Sequence, residues 1–117
     1  MSNKVETGFY GQDIAQEYLL DKGMELLEAN FRTKQGEIDL IMQDGTYVVF
    51  VEVKYRRSLK YGYPRESVGI SKQKKILKAA KYYIFCNTSE QDYRFDVVEI
   101  FETREGTQIN HIENAFW

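Results

Sequence analysis

The order of patterned segments predicts an α/β domain in which a mixed sheet is flanked by helices. Two observations carry that prediction. Apolar residues recur at helical spacing near the start of the chain and again in its second half, and three strand-like runs lie between them. A further strand pattern follows the second helix. The resulting order is α-β-β-β-α-β with a small terminal addition, and strand runs bracketed by helices pack as a sheet with helices against it.

Residues Gly8 to Lys22 read as the first helix. Ile14, Ala15, Tyr18 and Leu19 define its apolar face, and Lys22-Gly23 forms a good C-cap. Gln12 falls at the edge of that face, whereas Asp13 points away from it. Met24 to Thr33 reads as the first strand. Two apolar runs then meet at Asp44-Gly45, a strong short-range hairpin signal because both residues tolerate positive φ. Residues from Arg56 to Gly69 form a polar, basic loop that holds Pro64. Ser71 is a plausible N-cap for a second helix running to Cys86, with a buried stripe of Ile76, Leu77, Ala80, Tyr83 and Ile84. Gln73 continues that stripe one turn back and should point at the sheet. Asp92 to Glu102 is the next strand, and Gln108 to Ile112 a shorter one after a turn at Arg104-Glu105-Gly106.

At 117 residues the chain makes one domain, residues 1–117, with room for a modest core. A single cysteine, Cys86, rules out an internal disulfide and fits a reducing compartment; it reads as a small core residue. The lone His111 leaves no Cys/His cluster for zinc and reads as structural. Asp96, flanked by apolar residues, needs an Arg or a backbone donor as partner. No run has the length of a transmembrane helix, and Met1 to Glu6 lacks the apolar core of a signal peptide, so a soluble, cytoplasmic protein is expected.

The most informative positions lie in the hairpin. A turn closed by Asp44-Gly45 sets Asp39 opposite Phe50 and Glu37 opposite Glu52. Alternation then places Glu37, Asp39, Ile41, Val48, Phe50, Glu52 and Lys54 on one face. Ile38, Leu40, Met42, Tyr47, Val49, Val51 and Val53 fall on the other, almost wholly apolar face. Asp39 and Glu52 become diagonal neighbours, roughly 7–8 Å apart at the backbone, a spacing that a divalent cation can bridge. The rival reading is the solvated face of an amphipathic hairpin. It accounts for Lys54 but not for Glu37 opposite Glu52, since like charges directly opposed destabilise a sheet.

Charge is distributed unevenly. Between Lys54 and Lys81 ten Lys and Arg residues face only Glu66, a net +9, which leaves −11 for the rest of a chain of net charge −2. Arg56, Arg57, Lys60, Lys72 and Lys75 are the candidates for gripping a phosphate backbone, with Tyr55, Tyr61 and Tyr63 interleaved as possible base contacts. The rival is an ordinary lysine-rich helix face.

Asp39, twelve intervening residues and then Glu52-Val53-Lys54 resembles the core signature of the PD-(D/E)XK nuclease superfamily. More specifically, Gly8-x-x-Gly11, Ala15, Leu19, Gly36-Glu37-Ile38-Asp39-Leu40-Ile41, Phe50-Val51-Glu52-Val53-Lys54, Arg94-Phe95-Asp96-Val97-Val98 and Asn114-Ala115-Phe116 resemble the bacterial YraN-like family, itself similar to archaeal Holliday junction resolvases. The resemblance covers nearly the whole chain. It implies a restriction-endonuclease-like αβββαβ core. It also implies Mg²⁺ or Mn²⁺ held by Asp39, Glu52 and the carbonyl of Val53, with Lys54 orienting the attacking water. Glu37 then serves as a further or supporting acid, and Gln73 as the polar helix residue near Lys54. The family usually carries glutamate where this chain has Gln12, and glutamine brings an oxygen without its charge.

The expected function is therefore metal-dependent hydrolysis of branched or structured DNA, by analogy as a homodimer. Two other readings stay open. One is a nucleic-acid-binding module without catalysis, which Gln12 favours. The other is an interaction subunit of a DNA-processing assembly.

Overall fold

The computed structural model describes the backbone of residues 4–56, 68–87 and 90–117, and within these the side chains from Tyr10 onward. Its elements are α1 (Lys4–Asp21), β1 (Glu25–Thr33), β2 (Gly36–Asp44), β3 (Tyr47–Arg56), α2 (Ile70–Cys86), β4 (Asp92–Thr103) and β5 (Gly106–Ile112). The strands form one sheet in chain order. Every neighbouring pair is antiparallel except β3 and β4, which run parallel with α2 in the crossover between them. This is the α/β order read from the pattern of segments.

Helix α1 starts four residues before the expected Gly8 and ends where Lys22-Gly23 forecast. Gly23 takes φ +96°, its N–H donates to Leu20 O at 2.9 Å, and Met24 N–H donates to Leu19 O at 3.1 Å. That doubled closure is the Schellman arrangement, and it turns the chain sharply into β1.

Both faces of the central strands are covered. Ala15 and Leu19 of α1 pack with Leu40, Met42, Val49, Val51, Val98 and Ile100. On the other side Ile76, Ala79, Ala80 and Tyr83 of α2 pack with Ile41, Val48, Phe50, Phe95 and Val97. The Asp39–Glu52 face is thus the α2 face and not a solvated one. Ile38 departs from strict alternation and joins the α2 cluster. Two glycines allow the close approach: a Cβ on Gly11 would lie 2.8 Å from Tyr55 Cβ, and one on Gly36 would lie 2.6 Å from the carbonyl oxygen of Lys75. Each would have to push a helix off the sheet.

Three local expectations are corrected. The hairpin turn is Gly45-Thr46, one residue later than expected, so Asp44 pairs with Tyr47 and Ile41 with Phe50. Gly45 supplies the positive φ as the first turn residue, and Asp44, in the strand, meets Arg94, whose Nη2 lies 3.1 Å from its carboxylate. Ser71 does not cap α2. The N-cap is Gly69, with no side-chain bond, and Ser71 lies inside the helix. Cys86 is exposed and not part of the core, because the buried stripe of α2 stops at Tyr83 and the last turn reaches solvent, as Phe85 does. Of the C-terminal aromatics, Phe116 packs on Phe95 at 5.3 Å between ring centroids, and Trp117 meets the same ring edge-on. No helix is long and apolar enough to cross a membrane among the described residues.

Candidate active site

Strand β3 carries Glu52-Val53-Lys54 beyond the point where its pairing with β2 stops. The last counted pair is Leu40 with Val51. At the next position Asp39 breaks the ladder with its side chain: Oδ2 accepts a hydrogen bond from Val53 N–H at 2.8 Å. The same count sets Asp39 directly opposite Glu52, closer than the diagonal placement expected from an Asp44-Gly45 turn. The parity of the two acids is unchanged, since moving the turn by one residue moves the partner by two.

Glu52 is buried and Asp39 partly so. Burial and the neighbouring Asp39 charge push the Glu52 carboxyl up to about 7, against the pull of Lys72 and Lys54. Asp39 is also raised, chiefly by burial and further by Glu37, although the Val53 N–H and Lys72 work the other way. The principal counter-ion is Lys72 in the first turn of α2, with Nζ 2.5 Å from Glu52 Oε1. Burial opposes the charge on Lys72, but the hydrogen bond and charge of Glu52, joined by Asp39 and Glu37, raise its pKa. A carboxyl poised near neutrality beside a second acid and an ammonium can take up or release a proton in the working range of acid–base chemistry.

The structure therefore joins Asp39, Glu52, Val53 and Lys54 with a residue expected only to grip phosphate, Lys72. Its signal was present in the sequence: Lys72 lies four residues before Ile76, on the buried stripe. Gln73, the residue chosen from that stripe, is turned elsewhere. Its Nε2 donates to Val68 O at 2.7 Å and braces the entry into α2. Glu37 is not opposite Glu52. It pairs with Arg32 of β1, Nε to Oε2 at 3.1 Å, and its charge reaches the site only from the rim. Gln12 is buried in α1, the layer that covers the opposite face of the sheet. Arg56 is exposed, and its Nη1 donates to the carbonyl of Tyr55 at 3.2 Å. Lys75 has an exposed side chain. Arg57, Lys60, Tyr61 and Tyr63 lie outside the described residues.

Among the described residues no group of three or more His, Cys, Asp and Glu side chains is gathered for a metal ion. What the donor set offers a divalent cation is two carboxylates, Asp39 and Glu52, both raised chiefly by burial, with Lys72 as the cation already in contact with Glu52. Hard cations accept such a pair, with water and backbone oxygens completing the shell.

A second buried acid lies one pairing step away, on the α1 side of the sheet. Asp96 is fully buried opposite Val51, while Glu52 is opposite Val97. Arg94 donates to Asp96 from Nε at 2.9 Å and Nη2 at 3.1 Å, the Asn114 N–H at 3.0 Å, and His111 Nε2 lies 2.7 Å away. Burial alone would raise this carboxyl, yet the three partners hold it below its ordinary value.

Fold and site together define an α/β domain in which a buried Glu52, paired with a helix lysine, lies opposite a partly buried Asp39. The family model described as "Uncharacterised protein family UPF0102" matches residues 11–100, a span containing Asp39, Glu52 and Lys72. The chain is 48% identical over 117 residues to a UPF0102 protein of Clostridioides difficile strain 630, covering 99% of this chain and 100% of the relative. It is 47% identical over 114 residues to one from Thermodesulfovibrio yellowstonii, covering 97% and 98% respectively. The chain belongs to the UPF0102 family, the YraN-like family that its motifs resemble.

Proposed function

We propose that this domain is a nuclease of the PD-(D/E)XK kind, hydrolysing phosphodiester bonds in branched or structured DNA. The observation that carries the reading is the Asp39–Glu52 pair. Two acids are held against each other in a buried site, an electrostatic cost that a fold of this size tolerates where function uses it. Asp39, Glu52 and the carbonyl of Val53 would hold Mg²⁺ or Mn²⁺, which when bound polarises a phosphate and lowers the pKa of an attacking water. The Val53 N–H fixes the Asp39 carboxylate in place. Lys54, whose charge already acts on Glu52, is positioned to steady negative charge developing on the phosphate. Lys72 neutralises Glu52 in the absence of another cation. Arg56 and Lys75, both exposed, are available to flanking phosphates.

A second reading, a DNA-binding module without catalysis, is favoured by Lys72, which already supplies Glu52 with a positive charge. Cleavage assays with Mg²⁺ and with Mn²⁺ on junction, flap and single-stranded DNA separate the two. Hydrolysis that falls at least a hundredfold in Asp39→Asn and Lys54→Ala supports the nuclease. DNA binding without hydrolysis of any substrate leaves the binding module. Hydrolysis that survives both substitutions removes this site from the reaction.

A further inference from the structure

The geometry points to a second binding site, a pocket at the β1–β2 turn that takes a single nucleic-acid strand leading away from the acid pair. The inference rests on the nucleic-acid reading above and narrows it to a strand class. The pocket is an open cavity of about 640 Å³ lined by Arg32, Thr33, Lys34, Gln35 and Tyr82. None of these belongs to the basic segment between Lys54 and Lys81.

Its turn and its aromatic wall are tied by local contacts. Thr33 Oγ1 accepts from the N–H groups of Gln35 and Gly36, both at 3.1 Å, and donates to Gly36 O at 2.9 Å, so the turn is tied at three points. Arg32 is anchored through Nε to Glu37. Tyr82 is 56% exposed, and its ring lies 6.2 Å from Phe31 at an interplanar angle of 32°. Phe31 is in turn fixed edge-on by Tyr83 at 5.4 Å. An aromatic held on an aromatic base, beside two cations and a glutamine amide, offers a stacking platform with phosphate-binding groups around it.

The pocket is connected to the acid pair by α2. Lys72, Lys75, Ala79 and Tyr82 follow one another at three- and four-residue steps, one stripe of the helix. The stripe runs from Lys72 at Glu52, past Lys75 over Gly36 and the buried Ala79, to Tyr82 in the pocket. It faces the sheet and fixes the separation of the two sites, and a strand joining them would lie beside it, over the exposed Lys75 side chain. From Lys72 to Tyr82 the helix rises about 15 Å, roughly four nucleotides at the stacked spacing of one strand. Within a duplex each base is covered by its stacked neighbours, so away from a duplex end an unpaired strand is needed to place a base on Tyr82. The strand would carry phosphates past Lys75 and Lys34 on its way from the acid pair.

The test is fluorescence polarisation of the full chain, without divalent metal, with labelled eight-nucleotide oligo(dT), oligo(rU) and a blunt duplex. Tyr82→Ala should weaken binding of the single strands about tenfold, the scale of one lost stacking contact, and leave the duplex within about twofold. Tyr82→Phe should keep wild-type affinity, and circular dichroism should report an unchanged fold in both. Lys34→Gln should flatten the log–log salt slope on oligo(dT) by about 0.7, one phosphate contact on a single strand. The two oligonucleotides decide whether DNA or RNA is preferred. Unchanged single-strand affinity in Tyr82→Ala, or an equal loss on the duplex, overturns the pocket while leaving the nucleic-acid reading intact. A wild-type chain that binds neither strand nor duplex overturns both.

Discussion

Asp96 and the Asp39–Glu52 pair are buried acids one pairing step apart in the same sheet, and the fold treats them in opposite ways. Asp96 is fully enclosed yet receives donors from Arg94, His111 and Asn114, so its carboxyl stays below the ordinary range. Glu52 is almost as buried, and that burial, joined by the Asp39 charge, outweighs Lys72 and Lys54, so its carboxyl rises to about 7. Burial alone does not distinguish a structural acid from a candidate catalytic one. The partners do. A carboxylate whose partners more than offset its burial contributes to stability, whereas one whose partners leave the desolvation uncompensated lowers stability in its charged form and marks a place where a further cation would be favoured.

The largest effect that can break this comparison is on the structural side. Asp96→Ala should destabilise the domain by about 3–5 kcal/mol, because Arg94 is left largely enclosed without its main partner. Urea denaturation at pH 7 measures it. A loss below about 1 kcal/mol would mean that Asp96 is no better served than Glu52.

Glu52→Gln should act in the other direction. A carboxyl whose folded pKa lies above its unfolded value binds more protons when folded. Its contribution is complete below about pH 4.5 and is lost as pH rises through about 7. The gap corresponds to roughly 3 kcal/mol at 1.36 kcal/mol per pH unit. At pH 8 the glutamine variant should therefore be the more stable protein by an amount of that order, and its stability should lose the decline between pH 4.5 and 7. Lys72, with its side chain 58% exposed, can release into solvent when Glu52 loses its charge. A variant less stable than wild type at pH 8 would place Glu52 with Asp96 among the structural acids.

How far the sequence anticipates these sites follows from which interactions are local. Periodicity locates both helices and all five strands, because it depends on residues a few positions apart. The Gly23 closure of α1 is legible for the same reason. Parity puts Asp39, Glu52 and Lys54 on one face even though the turn falls a residue later than expected, since a shift of that kind preserves the face. The details that escape are set by the choice of turn or at longer range. Gly45 takes the positive φ as the first residue of a Gly45-Thr46 turn, and Asp44, left in the strand, pairs with Arg94 of β4. The register set by that turn brings Asp39 and not Glu37 opposite Glu52, and Glu37 pairs with Arg32 of β1. The choice between Lys72 and Gln73 depends on how α2 lies over the sheet, which apolar spacing narrows only to a turn. Gln12 sits at the edge of its helical face in projection, yet α1 packs closely enough on β3 at Gly11 and Tyr55 to bury it.

The smallest predicted effect sharpens the comparison at its centre, where Lys72 and a divalent cation want the same carboxylate. If the pair is a metal site, the ammonium that neutralises Glu52 competes with the metal, and Lys72→Met should tighten Mn²⁺ binding a few-fold at pH 8. The Lys72 side chain is 58% exposed, so its charge is screened largely by solvent and its contribution to the site is about 1 kcal/mol, the scale of a unit charge about 4 Å away in water. Lys54→Met should shift affinity the same way but less, because Lys54 acts on Glu52 through charge alone and more weakly than Lys72 does. Calorimetric titration of the two variants and the wild type decides the matter without any assay of cleavage. A weaker Mn²⁺ site in Lys72→Met means that the lysine organises the carboxylates for the metal. Absence of heat in all three proteins at millimolar Mn²⁺ makes the Lys72–Glu52 bridge the resting state of a site that takes no metal, and leaves Asp39 and Glu52 to a role in DNA binding alone.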